Sequence, residues 1–149
     1  MSNPLDDKVL MICKKIKFFK DIELEDLPKI VQSPSIKKYK AGELIIKEGE
    51  INREFYYIVK GEVKVVKNIG GTRKNLATMS SGRIFGEIAT ILQKPRNATI
   101  IATNDDTTIF NFNFDKELAT KHPKAYSIFI TNLAEELCTK INNLNLKIF

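Results

Sequence analysis

Residues 40–66 read KAGELIIKEGEINREFYYIVKGEVKVV, short runs rich in β-branched and aromatic residues with a glycine at each break. Runs of this length and composition are strand-like. Gly42, Gly49 and Gly61 fall between them, where a positive φ is cheap only for glycine. The same grammar extends outward from Ser35 to Phe114, as IKKYK, ELIIK, FYYIVKG, EVKVVKN, KNLATM, ATIIAT and TTIFNF. Strands at such near-regular intervals predict a sandwich or barrel. Val63 and Val65 alternate with Glu62 and Lys64, and Phe110, Phe112 and Phe114 alternate likewise, so each of these strands is expected to keep one wet face. Gly70 and Gly71 mark a hairpin turn, and Gly82 suits a corner of a rolled sheet.

Outside this region the period changes to that of helices. Asn3 as a cap, Pro4 at the first helical position, Asp6 and Asp7 in the first turn, and Leu5, Val9, Ile12, Cys13 and Ile16 at helical spacing predict a helix to about Lys17. Leu24, Leu27, Ile30 and Val31 predict a second, short one, with Pro28 near its start. Phe18 and Phe19, among Lys14, Lys15, Lys17 and Lys20, read as core plugs beside a solvated lysine face. After Phe114, Asp115 is expected to cap a short helix toward Lys121. His122 and Pro123 break it, and a longer helix starts near Lys124. Leu133, Leu137, Ile141, Leu144 and Ile148 form a narrow apolar stripe. Its first half suits core packing, and its part beyond Leu137 suits a lid over a ligand or a homodimer seam.

At 149 residues the chain is long enough to bury a core without staples, and one domain over 1–149 is the working count. It divides into N-terminal helices (1–34), a β region (35–114) and C-terminal helices (115–149). Hydrophobic residues at 43% and charged residues at 28% argue against disorder and against a membrane protein. No apolar run approaches the roughly 20 residues that span a bilayer, and the N-terminus lacks the layout of a signal peptide, so a cytoplasmic location is expected. The two cysteines, Cys13 and Cys138, lack CxxC spacing and indicate neither a disulfide framework nor a zinc site. His122, the single histidine, has no second histidine to share a metal. The net charge of +6 favours anionic partners without naming one.

One stretch inside the β region departs from its grammar. GRIFGEIATILQKPRNAT, residues 82–99, holds a turn and a half of helix near Glu87 to Leu92. Free N–H groups at a helix start attract anions, and Gly86 lets a ligand approach the backbone. Pro95 shapes the chain before Arg96, whose planar fork can grip two oxygens of a phosphate. Glu87, an acceptor when ionised, suits a hydroxyl donor beside that phosphate, such as a ribose 2′-OH. The bland alternative is a structural Glu87–Arg96 ion pair that closes a loop.

The order GxxFGE, I-A-x-I-L and P-R-x-A-T in these residues resembles the phosphate-binding cassette of the cyclic-nucleotide-binding domain family, as in catabolite activator protein and protein kinase A regulatory subunits. Residues 40–66 look like that family's first β-roll half. The resemblance implies a mainly β fold: an eight-stranded antiparallel, jelly-roll-like β-roll with N-terminal helices, a short phosphate-binding helix and C-terminal helices, binding cAMP or cGMP. Carried over by position, it implies ligand-binding roles for Phe85, Gly86, Glu87, Ile88, Ala89, Arg96, Asn97, Ala98 and Thr99. Gly86, Ile88 and Ala89 would give backbone contacts, Glu87 the 2′-OH contact, Arg96 the phosphate contact and Ala98 a phosphate-facing amide, with Thr99 near the base end. Thr139, Asn142 and Asn143 are candidates for reading the base. Two positions depart from the pattern. Thr90 stands where the family is usually apolar, and Asn97 follows the arginine where the family's cGMP-preferring members tend to carry threonine and its cAMP-preferring ones alanine.

No catalytic constellation, Walker loop, cofactor motif or metal-ligand cluster is present in the sequence, so no enzyme activity is expected. The leading expectation is a cytoplasmic cyclic-nucleotide sensor, with cAMP preferred over cGMP. It would act through its C-terminal helices on a protein partner or a homodimer interface. Related transcription regulators continue into a helix-turn-helix after the long helix, and the 149 residues contain none, so neither nucleic acid nor membrane is expected as a partner. The alternatives are a regulatory part of a larger channel, kinase or regulator assembly, which the N-terminal methionine disfavours, and a degenerate module that keeps the fold without a ligand.

Overall fold

The computed structural model describes residues 4–144, which fall into a β unit, Gln32–Phe114, and a helical unit made of the chain up to Val31 and from Asp115 onward. The β unit contains β1 (Gln32–Tyr39), β2 (Leu44–Ile46), β3 (Glu54–Lys60), β4 (Glu62–Ile69), β5 (Thr72–Ser80), β6 (Ile84–Phe85), β7 (Thr99–Ala102) and β8 (Thr107–Asn113). They form two antiparallel four-stranded sheets, ordered β1-β8-β3-β6 and β2-β7-β4-β5. This is the eight-stranded roll that the resemblance implies. The seven runs legible in the sequence are seven of its strands, and the eighth, β6, is two residues long, too short for any period to show.

Between the sheets lies a core of Ile46, Tyr56, Ile58, Val63, Phe85, Ile100 and Ile109. Burying an aliphatic or aromatic side chain of this size contributes roughly 1.5–3 kcal/mol, and the two sheets share that gain. Each strand hands inward residues to the cluster at every second position. Val63 and Val65 obey this rule, but a bulge between Val65 and Val66 resets the period, so Val66 is also buried. For β8 the expectation of a wet face fails. Thr107, Thr108, Ile109 and Phe110 are all buried, and alternation returns only at Asn111, Phe112 and Asn113. β1 begins at Gln32, ahead of the expected boundary at Ser35, since its pairing with β8 runs on past an irregularity between Gln32 and Ser35.

Gly61 shows what the corners demand. It joins β3 to β4 with φ 94°, and a Cβ there would stand 2.6 Å from Thr107 Oγ1 and 2.9 Å from Thr107 Cα. The chains are too close for any side chain, and L residues rarely adopt that φ.

In the helical unit α1 spans Asp7–Cys13 and α2 spans Leu27–Ile30, while α4 and α5, which follow the roll, span Leu118–Lys121 and Pro123–Asn143. The expected Asn3 cap lies outside the described residues. The observed cap is Asp6, whose carboxylate accepts from Val9 N at 2.8 Å, and Pro4 precedes the helix. Beyond Cys13 the chain turns into a short 3-10 segment, Lys17–Phe19, rather than continuing helically to Lys17. Phe18 and Phe19 are buried, with ring centroids 5.7 and 5.9 Å from that of Phe129 on α5. The lysines beside them are exposed. Cys13 is buried, which raises its thiol to about 12; Cys138 is exposed, and both are free. Pro123 starts α5 instead of only breaking α4, because a first-turn proline loses no helical hydrogen bond. Along α5 the stripe divides as expected: Leu133 is buried, Ile141 and Leu144 are exposed, and Ile148 lies outside the described residues. Among the described residues no helix is long and apolar enough to cross a membrane.

The glycine geometry gives the first test. Gly42→Ala, at φ 88° with open space around it, is expected to cost only the left-handed strain of about 1–2 kcal/mol. Gly61→Ala adds overpacking against Thr107 of about 1–3 kcal/mol. Urea unfolding of the two variants separates these terms; equal losses would contradict the close approach.

Candidate functional site

The short helix that interrupts the roll, which we label α3 (Glu87–Leu92), begins where β6 ends. β6 is fixed by pairing with β3, Phe85 opposite Tyr56 and Ile84 opposite Tyr57, and the Phe85 and Tyr56 rings stack at 5.1 Å. Gly86 then takes φ 82°, which turns the chain sharply from strand into helix. A Cβ at Gly86 would lie 2.8 Å from Arg96 Nη1 and 3.0 Å from Tyr56 Cδ2. Glycine is needed here for conformation and for the room that Arg96 occupies.

At its far end α3 closes with Gln93 at φ 55° and with Lys94 N donating to Ala89 O at 3.0 Å. The next residues return along the β2–β3 connection. Arg96 N donates to Glu50 O at 2.8 Å, and Gly49 N donates to Arg96 O at 2.7 Å. The Thr99 hydroxyl accepts from Glu48 N at 2.9 Å. The arginine backbone is thus pinned before its side chain makes any contact.

That side chain points inward and is 4% exposed. Its Nη1 donates to Gly86 O at 2.5 Å. Its Nη2 donates to Asn52 Oδ1, to Glu54 O at 2.9 Å and to Thr90 Oγ1 at 3.1 Å. The guanidinium carbon lies 5.4 Å from the centroid of the Tyr56 ring, in cation–π range. All four acceptors are neutral oxygens, and among the described residues no carboxylate stands within ion-pair distance of Arg96. Burial lowers the Arg96 pKa, partly offset by the fields of Tyr56, Glu54, Glu50 and Glu87. The loop-closing Glu87–Arg96 ion pair is therefore not formed. Arg96 Nε is buried and has no hydrogen-bond partner. A buried cation with an unused donor is costly unless an anion completes it.

Of the residues expected from the sequence, Phe85, Gly86, Glu87, Ile88, Ala89, Arg96, Asn97, Ala98 and Thr99 all lie on this one β6–α3–β7 segment. Glu87 is 4% exposed and Ala98 is buried, Ile88 is 55% exposed, and Asn97 is exposed. Thr139, Asn142 and Asn143 are exposed on α5 in the helical unit, and the Thr139 hydroxyl donates to Glu135 O at 3.0 Å.

Three residues at the site are absent from the sequence reading: Asn52, Glu54 and Tyr56. The Glu54 carboxylate accepts from Tyr56 Oη at 3.0 Å and from Asn111 Nδ2 at 2.6 Å, which ties the start of β3 to β8. Burial and then Glu54 raise the Tyr56 hydroxyl well above its usual range, so it stays protonated and keeps donating. Nothing in INREFYY singles these residues out beyond polar residues ahead of a buried strand. Their role follows from a contact some forty positions away.

Gly86→Ala is expected to displace the Arg96 guanidinium and to lower the unfolding free energy by about 1–2 kcal/mol through left-handed strain. The readouts are urea unfolding and the Arg96 Nε–H signal in a ¹⁵N spectrum; an unmoved signal would refute the contact.

Comparisons with known proteins converge on one family. Residues 36–118 match the model of the cyclic nucleotide-binding domain. The chain is 36% identical over 92 residues to a cGMP-dependent protein kinase of Plasmodium berghei, covering 62% of this chain and 10% of the kinase. It is 34% identical over 98 residues to the cAMP-dependent protein kinase regulatory subunit of Mycosarcoma maydis, covering 66% of this chain and 18% of the subunit. The match thus spans between a tenth and a fifth of the length of these relatives. Among solved structures, a cyclic nucleotide-binding domain from Methylobacillus flagellatus superposes with a TM-score of 0.72 at 24% identity, covering 92% of this chain and 78% of that one. This likeness speaks to the fold.

Proposed function

The chain belongs to the cyclic nucleotide-binding domain family, and from that premise we propose that it is a non-catalytic cyclic-nucleotide sensor whose phosphate site is centred on Arg96. The observation that carries the reading is the state of that arginine: 4% exposed, held by neutral oxygens alone, and with Nε unpartnered. A cyclic phosphate carries a single negative charge and two exocyclic oxygens, which suits one guanidinium edge. Hydrogen bonds to charged groups contribute about 1.5–3 kcal/mol each, so this contact outweighs any single neutral one.

Glu87 is assigned the ribose 2′-OH. The backbone at Gly86, Ile88, Ala89 and Ala98 and the side chains of Phe85 and Thr99 are assigned to the wall around phosphate and sugar. Asn97 is exposed beside Arg96 and offers a donor and an acceptor to the phosphate or to a syn guanine. We favour cAMP over cGMP as the ligand; named relatives include a cGMP-dependent kinase and a cAMP-dependent regulatory subunit. Thr139, Asn142 and Asn143 are the proposed base contacts. The exposed half of the α5 stripe is then the element that a protein partner or a second copy reads, through contacts that differ between free and bound states. The compartment is proposed to be the cytoplasm.

A second reading, a regulatory segment of a larger kinase, channel or transcription-regulator assembly, is favoured by the small share of each kinase relative that the chain matches. It uses the same ligand site. A degenerate module without a ligand is disfavoured, since it would retain the burial of an uncompensated Arg96 for no return.

Thermal unfolding with cAMP and with cGMP tests the ligand: at 100-fold above Kd, binding is expected to stabilise by about 2.7 kcal/mol, and no shift with either at millimolar levels would end the sensor reading. Arg96→Ala is expected to weaken binding at least tenfold by calorimetry, and Lys94→Ala, at an exposed position, by less than about threefold. Equal losses would point to general charge attraction.

A further inference from the structure

We infer that Thr90 is a positioning residue for the phosphate-binding arginine, an inference that rests on the nucleotide reading of the site and extends it to a residue outside the expected contacts. Thr90 is the fourth residue of α3 and is 3% exposed. A threonine buried in a helix usually turns its hydroxyl onto the preceding turn. Here the hydroxyl reaches another strand, donating its proton to Glu54 O at 2.7 Å. That leaves its oxygen to accept from Arg96 Nη2 at 3.1 Å. One hydroxyl has one proton and two lone pairs, so the donor and acceptor roles are fixed in both directions.

Glu54 O also accepts from Arg96 Nη2 at 2.9 Å. Thr90 Oγ1, Glu54 O and Arg96 Nη2 therefore close a triangle, and Gly86 O holds Nη1 at 2.5 Å. With both terminal nitrogens held, the guanidinium plane has one orientation. Nε, the donor without a partner, is then presented in that single orientation too. A valine of the same shape would leave Glu54 O one donor short and remove one of the three oxygens around Nη2, leaving Asn52 Oδ1 and Glu54 O for its two protons, so that the plane is held less tightly about its last torsion. The alternative, in which Thr90 competes with the ligand for Arg96, is disfavoured because the orphan donor is Nε and not the nitrogen that Thr90 holds. A preorganised donor avoids the ordering cost on binding.

The test uses Thr90→Val, which keeps shape and removes the hydroxyl, Thr90→Ala as a second removal should valine not fold, and Thr90→Ser as the conservative rescue. The first readout is the set of Arg96 guanidinium N–H signals in ¹⁵N spectra of the unliganded protein. Slow, resolved signals are expected in wild type and Thr90→Ser, and averaged ones in the hydroxyl-free variants. The second is Kd for cAMP and cGMP by calorimetry, expected to rise about tenfold without the hydroxyl, the worth of one hydrogen bond to a charged group, and to return within about twofold in Thr90→Ser. Guanidinium signals unchanged by loss of the hydroxyl, or nucleotide affinity unchanged or tighter in a folded variant, would overturn the role of Thr90 while leaving the nucleotide site intact. If the wild type bound neither nucleotide but the signals averaged as expected, the ligand reading would fall, and the positioning of Arg96 by Thr90 would stand.

Discussion

A guanidinium with almost no access to water needs acceptors on every side, and the local architecture of the roll answers to Arg96. Gly86 must adopt a left-handed turn so that its carbonyl faces Nη1, and it must lack a Cβ so that Arg96 and Tyr56 fit against it. β3 must start where Asn52 and Glu54 meet Nη2. α3 presents Thr90 inward, where its hydroxyl accepts from Nη2. These features come from three places in the chain, and one side chain links them. Such a polar network is costly when incomplete and rigidifying when satisfied.

The hydrophobic core supports the network from beneath. Phe85 and Tyr56 belong to the same inter-sheet cluster as Ile58, Ile100 and Ile109, and the Tyr56 ring is also the surface over which Arg96 sits. Packing that holds the two sheets together therefore sets the height of the cation. The backbone bonds from Gly49 and Glu50 to Arg96 supply the other coordinate. The inter-sheet core and the polar network around Arg96 are in this way built from overlapping residues.

The two kinds of signal in the sequence differ in reach. Seven of the eight strands were legible because each is long enough for β-rich composition to show, and the glycines at their ends mark conformations that other residues avoid. β6 was not, since Ile84–Phe85 carries no period and exists only because β3 lies beside it. The burial of β8 on both faces over residues 107–110 was equally hidden, because the alternation of its phenylalanines says nothing about what packs on the other face. Gly86, Glu87 and Arg96 stood out in the sequence by residue type and by the resemblance of their segment. Asn52, Glu54 and Tyr56 did not, because an acceptor for a guanidinium is any well-placed oxygen, and Glu54 contributes a backbone carbonyl, which every residue has.

By itself the sequence determined the class of fold, the break in the sheet at residues 87–92 and the presence of an arginine and an acid on one short segment, since periodicity, glycine placement and side-chain charge are local properties. Tertiary structure decided that Glu87 and Arg96 form no ion pair with each other, that the arginine is buried and hydrogen-bonded to neutral oxygens, and that Thr90 faces it. The physical reason is that hydrogen-bond partners are chosen by distance in space, and residues 52 and 54 come within bonding distance of residue 96, over forty positions away, only through the fold.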